Sequence, residues 1–183
     1  MKEIEARFLE INKDELVTKL RALDTKDLHE SMLEEIIFYD PELKWRDNHK
    51  VIRLRKTNDV IKMTYKEFDG DTIDSATEIE IEVSDLEKAK MLLEKTGLTA
   101  FRHQQKKRHT FELGEVVIDI DTWPRIPTYV ELEGPSEAVL KDAAQKLGFD
   151  WAQAVFDNAR LIIERRYNIP VSTMRWFTFD RFE

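Results

Sequence analysis

Charged side chains recur at alternate positions in several stretches of this chain, and their types suggest one kind of chemistry. The acidic sets are Glu3 and Glu5, Glu78 with Glu80 and Glu82, Asp119 with Asp121, and Glu131 with Glu133. The basic sets are Arg7, Arg53 with Arg55, Lys62 with Lys66, and Lys106 with Arg108. Carboxylates without accompanying Cys or His clusters suit hard divalent cations such as Mg²⁺ or Mn²⁺. Arginine grips phosphate oxygens in two-pronged fashion, and lysine acts as a point charge. Together they are the equipment of phosphoryl-transfer chemistry, in which positioning and charge neutralisation carry most of the catalysis.

Other chemistries find little support. The chain has no cysteine, which excludes disulfides, thiolate metal sites and a catalytic thiol. His29, His49, His103 and His109 are scattered, without zinc-ligand spacing. No phosphate-binding glycine loop, dinucleotide fingerprint, nucleophile elbow or HExxH helix occurs. A formal net charge of -8 argues against a general nucleic-acid binder, despite the basic run from His103 to His109. The start, MKEIEARF, carries no apolar signal segment, and no window approaches the roughly 20 apolar residues of a membrane span. A cytoplasmic protein with no membrane and no nucleic-acid partner is the expectation, with a homodimer left open.

The elements that must position these charges follow from periodicity. Side chains alternate faces along a strand, and residues two apart lie about 7 Å apart on one face. Lys2–Glu10 reads as a strand with Glu3, Glu5 and Arg7 opposite Ile4, Ala6 and Phe8. Asn12 caps a helix to about Leu23. Strands are predicted over Glu30–Tyr39, Val51–Thr57 and Val60–Tyr65, with Asn58-Asp59 as a hairpin turn and Phe68–Asp74 as a loop. Thr77–Val83 is the clearest strand, and Ser84 with Glu87 reads as a capping box for a helix to about Glu94. Phe101–Leu113 and Glu115–Asp121 form a hairpin at Gly114, followed by a strand over Pro127–Gly134. Helices are predicted from Pro135 to Leu147 and over Trp151–Arg166, and the tail is rich in aromatics.

About eight strands with few helices predict an α+β domain built on an antiparallel sheet or barrel. An ordinary amphipathic sheet could leave every charge in water. The whole set favours another arrangement, because three adjacent glutamates repel unless neutralised and the helices must cover the Ile/Leu/Val face. If the sheet closes with helices outside, the charges point inward and require partners.

These residues resemble the CYTH domain, the triphosphate tunnel metalloenzymes, a family that includes class IV adenylyl cyclases, thiamine triphosphatases and inorganic triphosphatases. Glu3-Ile4-Glu5-Ala6-Arg7 is similar to the family's N-terminal ExExK, and Arg53-Leu54-Arg55 to its RxR strand. Lys62 resembles its next basic strand, Glu78–Glu82 its central acidic strand, and Lys106-Lys107-Arg108 its KxR pair. Asp121 resembles its metal-binding aspartate and Glu131-Leu132-Glu133 its closing ExE. The resemblance covers residues 1–167, leaving 168–183 as a C-terminal aromatic tail. It implies an eight-stranded antiparallel β-barrel, a tunnel with a charged interior and helices packed outside, a divalent metal, and a small-molecule triphosphate substrate. It assigns Glu3, Glu5, Glu80, Asp119, Asp121, Glu131 and Glu133 to metal. It assigns Arg7, Arg53, Arg55, Lys62, Lys106 and Arg108 to the phosphates, and catalysis to Glu3, Glu5, Arg7 and Glu131. Two departures stand out: Arg7 replaces the family lysine, and Trp123-Pro124-Arg125-Ile126-Pro127 replaces a glycine-rich stretch. Arginine stays protonated at any working pH and cannot serve as a base. The expected activity is metal-dependent hydrolysis of a triphosphate, whether tripolyphosphate, thiamine triphosphate or a nucleoside triphosphate. The alternatives are cyclisation of ATP to cyclic AMP and pyrophosphate, with an adenine pocket from the Trp123 loop or the tail, and a non-catalytic triphosphate binder.

Overall fold

A computed structural model of the chain describes residues 4–68 and 76–183. Glu3 and most of the loop predicted over Phe68–Asp74 lie outside the described residues. The elements in chain order are β1 (Ile4–Phe8), α1 (Lys13–Ala22), β2 (Lys26–Tyr39), α2 (Lys44–Asp47), β3 (Lys50–Thr57), β4 (Val60–Phe68) and β5 (Ala76–Glu82). There follow α3 (Leu86–Lys95), β6 (Thr99–Leu113), β7 (Val116–Thr122), β8 (Tyr129–Gly134), α4 (Glu137–Leu147), α5 (Ala159–Tyr167) and β9 (Trp176–Phe177). The class is α+β with antiparallel strands, as the sequence predicts. No helix among the described residues is long and apolar enough to cross a membrane.

The chain divides into two compact units, and the long strands β2 and β6 contribute to both. The first unit comprises Met1–Ser31 and Lys106–Ser172. Here β1 pairs β8, β8 pairs β7 and β7 pairs β6, all antiparallel. One face of these strands is apolar. Ala6, Phe8, Ile118, Ile120, Val130 and Leu132 share a core with Leu16 and Leu20 of α1 and with Leu140, Ala144 and Leu147 of α4. Burying each large side chain contributes about 1.5–3 kcal/mol, so this face is fixed against the helices and its charged opposite is directed away from them. The register sets Glu5 across from Glu133, Arg7 and Asp119 across from Glu131, and Arg108 across from Asp121.

The second unit comprises Met32–Gln105 and Thr173–Glu183. Its strands β2, β3, β4 and β5 pair antiparallel in sequence order, as successive hairpins do. Ile36, Phe38 and Leu54 meet Ala89 and Leu93 of α3, with Ile52 and Met63 packed alongside. The register sets Glu35, Arg55, Lys62 and Glu82 in one row and Arg53, Thr64 and Glu80 in the next, on the face away from α3.

Local chemistry explains the boundaries. Asn12, Ser136 and Asn158 accept backbone N–H bonds at the starts of α1, α4 and α5. Gly114 (φ 59°) turns the β6–β7 hairpin, and Gly148 (φ 79°) ends α4 in the left-handed conformation. Several predicted details are corrected. The cap of α3 is Asp85, accepting from Lys88 N at 2.9 Å, in place of the predicted Ser84 box. The predicted helix over Trp151–Arg166 is split into a 3₁₀ turn at Trp151–Gln153 and α5. The break arises because Val155 and Arg7 exchange two backbone hydrogen bonds of 2.9 Å, which satisfies the outer edge of β1 and holds that segment extended. Strand β2 begins at Lys26, earlier than predicted, and passes through His29 at φ 66°, where the Asp27 side chain accepts the His29 N–H at 2.8 Å. The tail contributes β9, parallel to β6, with the Trp176 ring stacked 4.3 Å from His103.

Candidate metal and phosphate site

In the first unit the charged face gathers Glu5, Arg7, Lys106, Arg108, Asp119, Asp121, Glu131 and Glu133. Burial is deep for a set of this charge: Asp121 is 0% exposed, Asp119 4%, Arg7 and Lys106 5%, and Glu131 6%. Ions removed from water in this way persist only when paired, and the pairing is dense. Asp121 Oδ2 accepts from Lys106 Nζ and from Arg108 Nη2, both at 2.7 Å, and Oδ1 accepts from Arg108 Nε at 2.7 Å. Arg108 also pairs with Asp119 and, at 3.4 Å, with Glu131. Thr110 Oγ1 donates to Asp119 at 2.5 Å. Trp123 Nε1 donates to Tyr129 Oη at 3.0 Å, and the Lys106 ammonium lies 5.1 Å above the Trp123 ring.

Arg7 binds both walls of this face. Its Nη2 donates to Glu5 and its Nη1 to the Asp157 carbonyl at 3.0 Å. Its Nε lies 2.6 Å from Glu131 Oε2, a contact of opposite charges without hydrogen-bond alignment.

The electrostatics follow from these contacts. Burial opposes the charge on Arg7, but Glu131 and Glu5 outweigh it and raise its pKa. Burial likewise opposes charge on Arg108, and Asp121, Asp119 and Glu131 together hold it well above the ordinary range. Burial pushes Asp121 up, yet Lys106 and Arg108 win and hold its carboxyl below the usual value. Asp119 has only a share of Arg108, so burial prevails and its carboxyl is raised. For Tyr129, burial and then Asp121 push the phenol well above the usual value, so it stays a proton donor.

One oxygen from each of Glu5, Glu131 and Glu133 can be chosen so that all three lie within 4.8 Å of one another. Three hard oxygen donors fit Mg²⁺ or Mn²⁺ better than zinc or copper, and the partial exposure of Glu5 and Glu133 leaves room for ligand water. Asp119, Asp121 and Glu80 fall outside this group. The Asp121 oxygens accept from Lys106 and Arg108.

The second unit assembles Arg53, Arg55, Lys62 and Glu80. Lys62 Nζ donates to Glu80 Oε1 at 2.7 Å and Thr64 Oγ1 to Glu80 Oε2 at 2.9 Å. The Lys62 bond leads in holding the Glu80 carboxyl below its usual pKa, against burial. Arg55 Nε donates to Glu35 Oε1 at 2.5 Å, and Gln104 donates to the other oxygen. Arg53 reaches Glu35 only at 3.6 Å, and its Nε is buried without a hydrogen-bond partner. Burial lowers the Arg53 pKa despite Glu35. This cation is under-compensated where it stands.

Sequence reasoning missed Glu35, Gln104, Thr64, Thr110 and Tyr129, and it named Trp123 only as part of a loop that could hold adenine. Glu35 lies between Glu34 and Ile36 in a strand apolar on both faces, where alternation gives no signal. The hydroxyl and aromatic partners carry no charge pattern, and only pairing register reveals them.

Comparison with known proteins accords with this arrangement. The sequence model of the CYTH domain matches residues 1–154. A protein of Methanocaldococcus jannaschii, provisionally named an adenylate cyclase, is 26% identical over 137 residues, spanning 73% of this chain and 77% of its own. A Vibrio parahaemolyticus structure with the same provisional name has TM-score 0.74 at 18% identity, covering 90% of this chain and 98% of that one. A Hippeastrum structure has TM-score 0.65 at 15% identity, covering 92% and 96%. That plant protein is described as a provisionally assigned adenylyl cyclase with a dominant triphosphatase activity.

Proposed function

Because this chain belongs to the CYTH domain family, we propose that it is a divalent-metal-dependent hydrolase of triphosphates. The observation that carries this reading is the charged face of the first unit, where Glu5, Glu131 and Glu133 form a group of hard oxygen donors beside Arg7, Lys106 and Arg108. Glu5, Glu131 and Glu133 would hold Mg²⁺ or Mn²⁺. When bound, the metal neutralises phosphate oxygens and lowers the pKa of a coordinated water. Arg7, Lys106 and Arg108 take phosphate oxygens as they leave their carboxylate partners. Water attacks the terminal phosphorus, the bridging P–O bond breaks, and tripolyphosphate yields phosphate and pyrophosphate.

The surroundings of two tryptophans support hydrolysis over cyclisation. A cyclase needs a surface for adenine, and Trp123 is only 5% exposed, with Lys106 over its ring and its indole N–H tied to Tyr129. Trp176 of the tail is flanked by His103 and, at 4.4 Å, by the Arg181 guanidinium. The family's cyclase branch and the name of the Methanocaldococcus relative supply the competing reading.

The test is phosphorus NMR of products from tripolyphosphate, thiamine triphosphate and ATP, each with Mg²⁺ and with Mn²⁺. Metal-dependent release of phosphate is expected. Cyclic AMP with pyrophosphate from ATP would assign the protein to the cyclases, and no turnover of any of the three would sink both readings.

A further inference from the structure

Arg7 stands where a metal ion would compete with it. Its guanidinium touches Glu5 and Glu131, two of the three carboxylates able to hold a divalent ion, and its side chain is 6% exposed. The planar fork suits this bridging position, since one nitrogen reaches each carboxylate while a third donates to the Asp157 carbonyl. A lysine ammonium is a single point and cannot span the same partners in that way. A divalent ion shared by the same carboxylates would repel the guanidinium at close range in a buried setting where screening is weak.

We propose that Arg7 is the resident counter-ion of the metal group, displaced from Glu5 and Glu131 when metal binds and thereby released to grip a phosphate. The inference rests on the reading of this face as a metal and triphosphate site. Its consequence is coupling. Metal frees Arg7 for the anion, and an anion that draws Arg7 away frees the carboxylates for metal. By linkage, each ligand strengthens the other by the same factor.

Calorimetric titration of Mn²⁺ alone into the wild type, Arg7→Lys and Arg7→Gln decides the matter without any turnover. Arg7→Gln should bind Mn²⁺ about tenfold more tightly, the worth of one charge-assisted contact removed from competition, with Arg7→Lys between. In metal-free buffer the same Arg7→Gln should bind tripolyphosphate about tenfold more weakly. A purely structural role would weaken both ligands, so these opposite signs are diagnostic. Unchanged or weaker Mn²⁺ binding by a folded Arg7→Gln overturns the proposal. Should that variant fail to fold, Mg²⁺ titration of the wild type followed at the Arg7 Nε–Hε NMR signal replaces it. The signal should move as the guanidinium leaves its carboxylates, and a signal indifferent to Mg²⁺ overturns the proposal. If the wild type binds no tripolyphosphate, the functional reading fails, while the counter-ion role is still decided by the metal titration.

Discussion

Asp27 and His109 form a pair away from the charged face. His109 Nε2 lies 2.7 Å from Asp27 Oδ1, and the His109 ring stacks 4.4 Å from Phe111. Burial pushes the Asp27 carboxyl up, but bonds from His109, the His29 N–H and Arg21 prevail and hold it at about 2, against 3.8 for a free aspartate. A depressed carboxyl stabilises the fold fully above its unfolded value, and the contribution drains away as pH falls from 3.8 towards 2. Urea unfolding at pH 5 and pH 2.5 should therefore show a smaller acid-induced loss in Asp27→Asn than in the wild type; an equal loss would rule out the pair as a contributor. This pair was not legible in the sequence, because its partners are 82 residues apart. Much of the charged face was legible: Glu5, Arg7, Asp119 and Glu131 lie between apolar residues, and Asp121 and Glu133 each follow one, which the helices claim, while Arg108 showed only by its charge. What alternation could not decide is which carboxylates serve metal and which serve arginine, since that depends on cross-strand neighbours.

At the scale of elements, α4 is the lid over the apolar face of the first unit. Leu140 is fully buried in it. A Cβ placed on Gly134 of β8 would meet Leu140 Cδ2 at 3.1 Å, which shows how closely that helix approaches the strand. Leu140→Ala should cost about 2–5 kcal/mol in chemical denaturation, and a cost below about 1 kcal/mol would mean that α4 is not the fixed wall described above. Strands with one charged and one apolar face were readable from sequence. Less readable were α2, a single turn of four residues, and the break before α5. The latter depends on a backbone bridge between Val155 and Arg7, and side-chain periodicity carries no information about it.

For the molecule as a whole, a formal charge of -8 in 183 residues conceals a site whose cations are already engaged by acids of the same chain. Ligands that bind only the folded form stabilise it by mass action. Mg²⁺ with a non-hydrolysable triphosphate at 100 times its dissociation constant should add about 2.7 kcal/mol to the unfolding free energy. Thermal denaturation would show it as a raised midpoint, and an unchanged midpoint at saturation would contradict specific binding. The α+β class could be inferred from the whole sequence, because regular alternation over many strands is a global signal, whereas the division into two units depends on contacts that no local pattern encodes. One buried side chain also gives the molecule an optical property. The chain has four tryptophans, and Trp123 pairs its indole N–H with Tyr129 while carrying the Lys106 ammonium above its ring. A positive charge poised over an indole influences its emission energy, so Trp123 fluorescence should shift, without any attached dye, if Lys106 exchanges Asp121 for another anion.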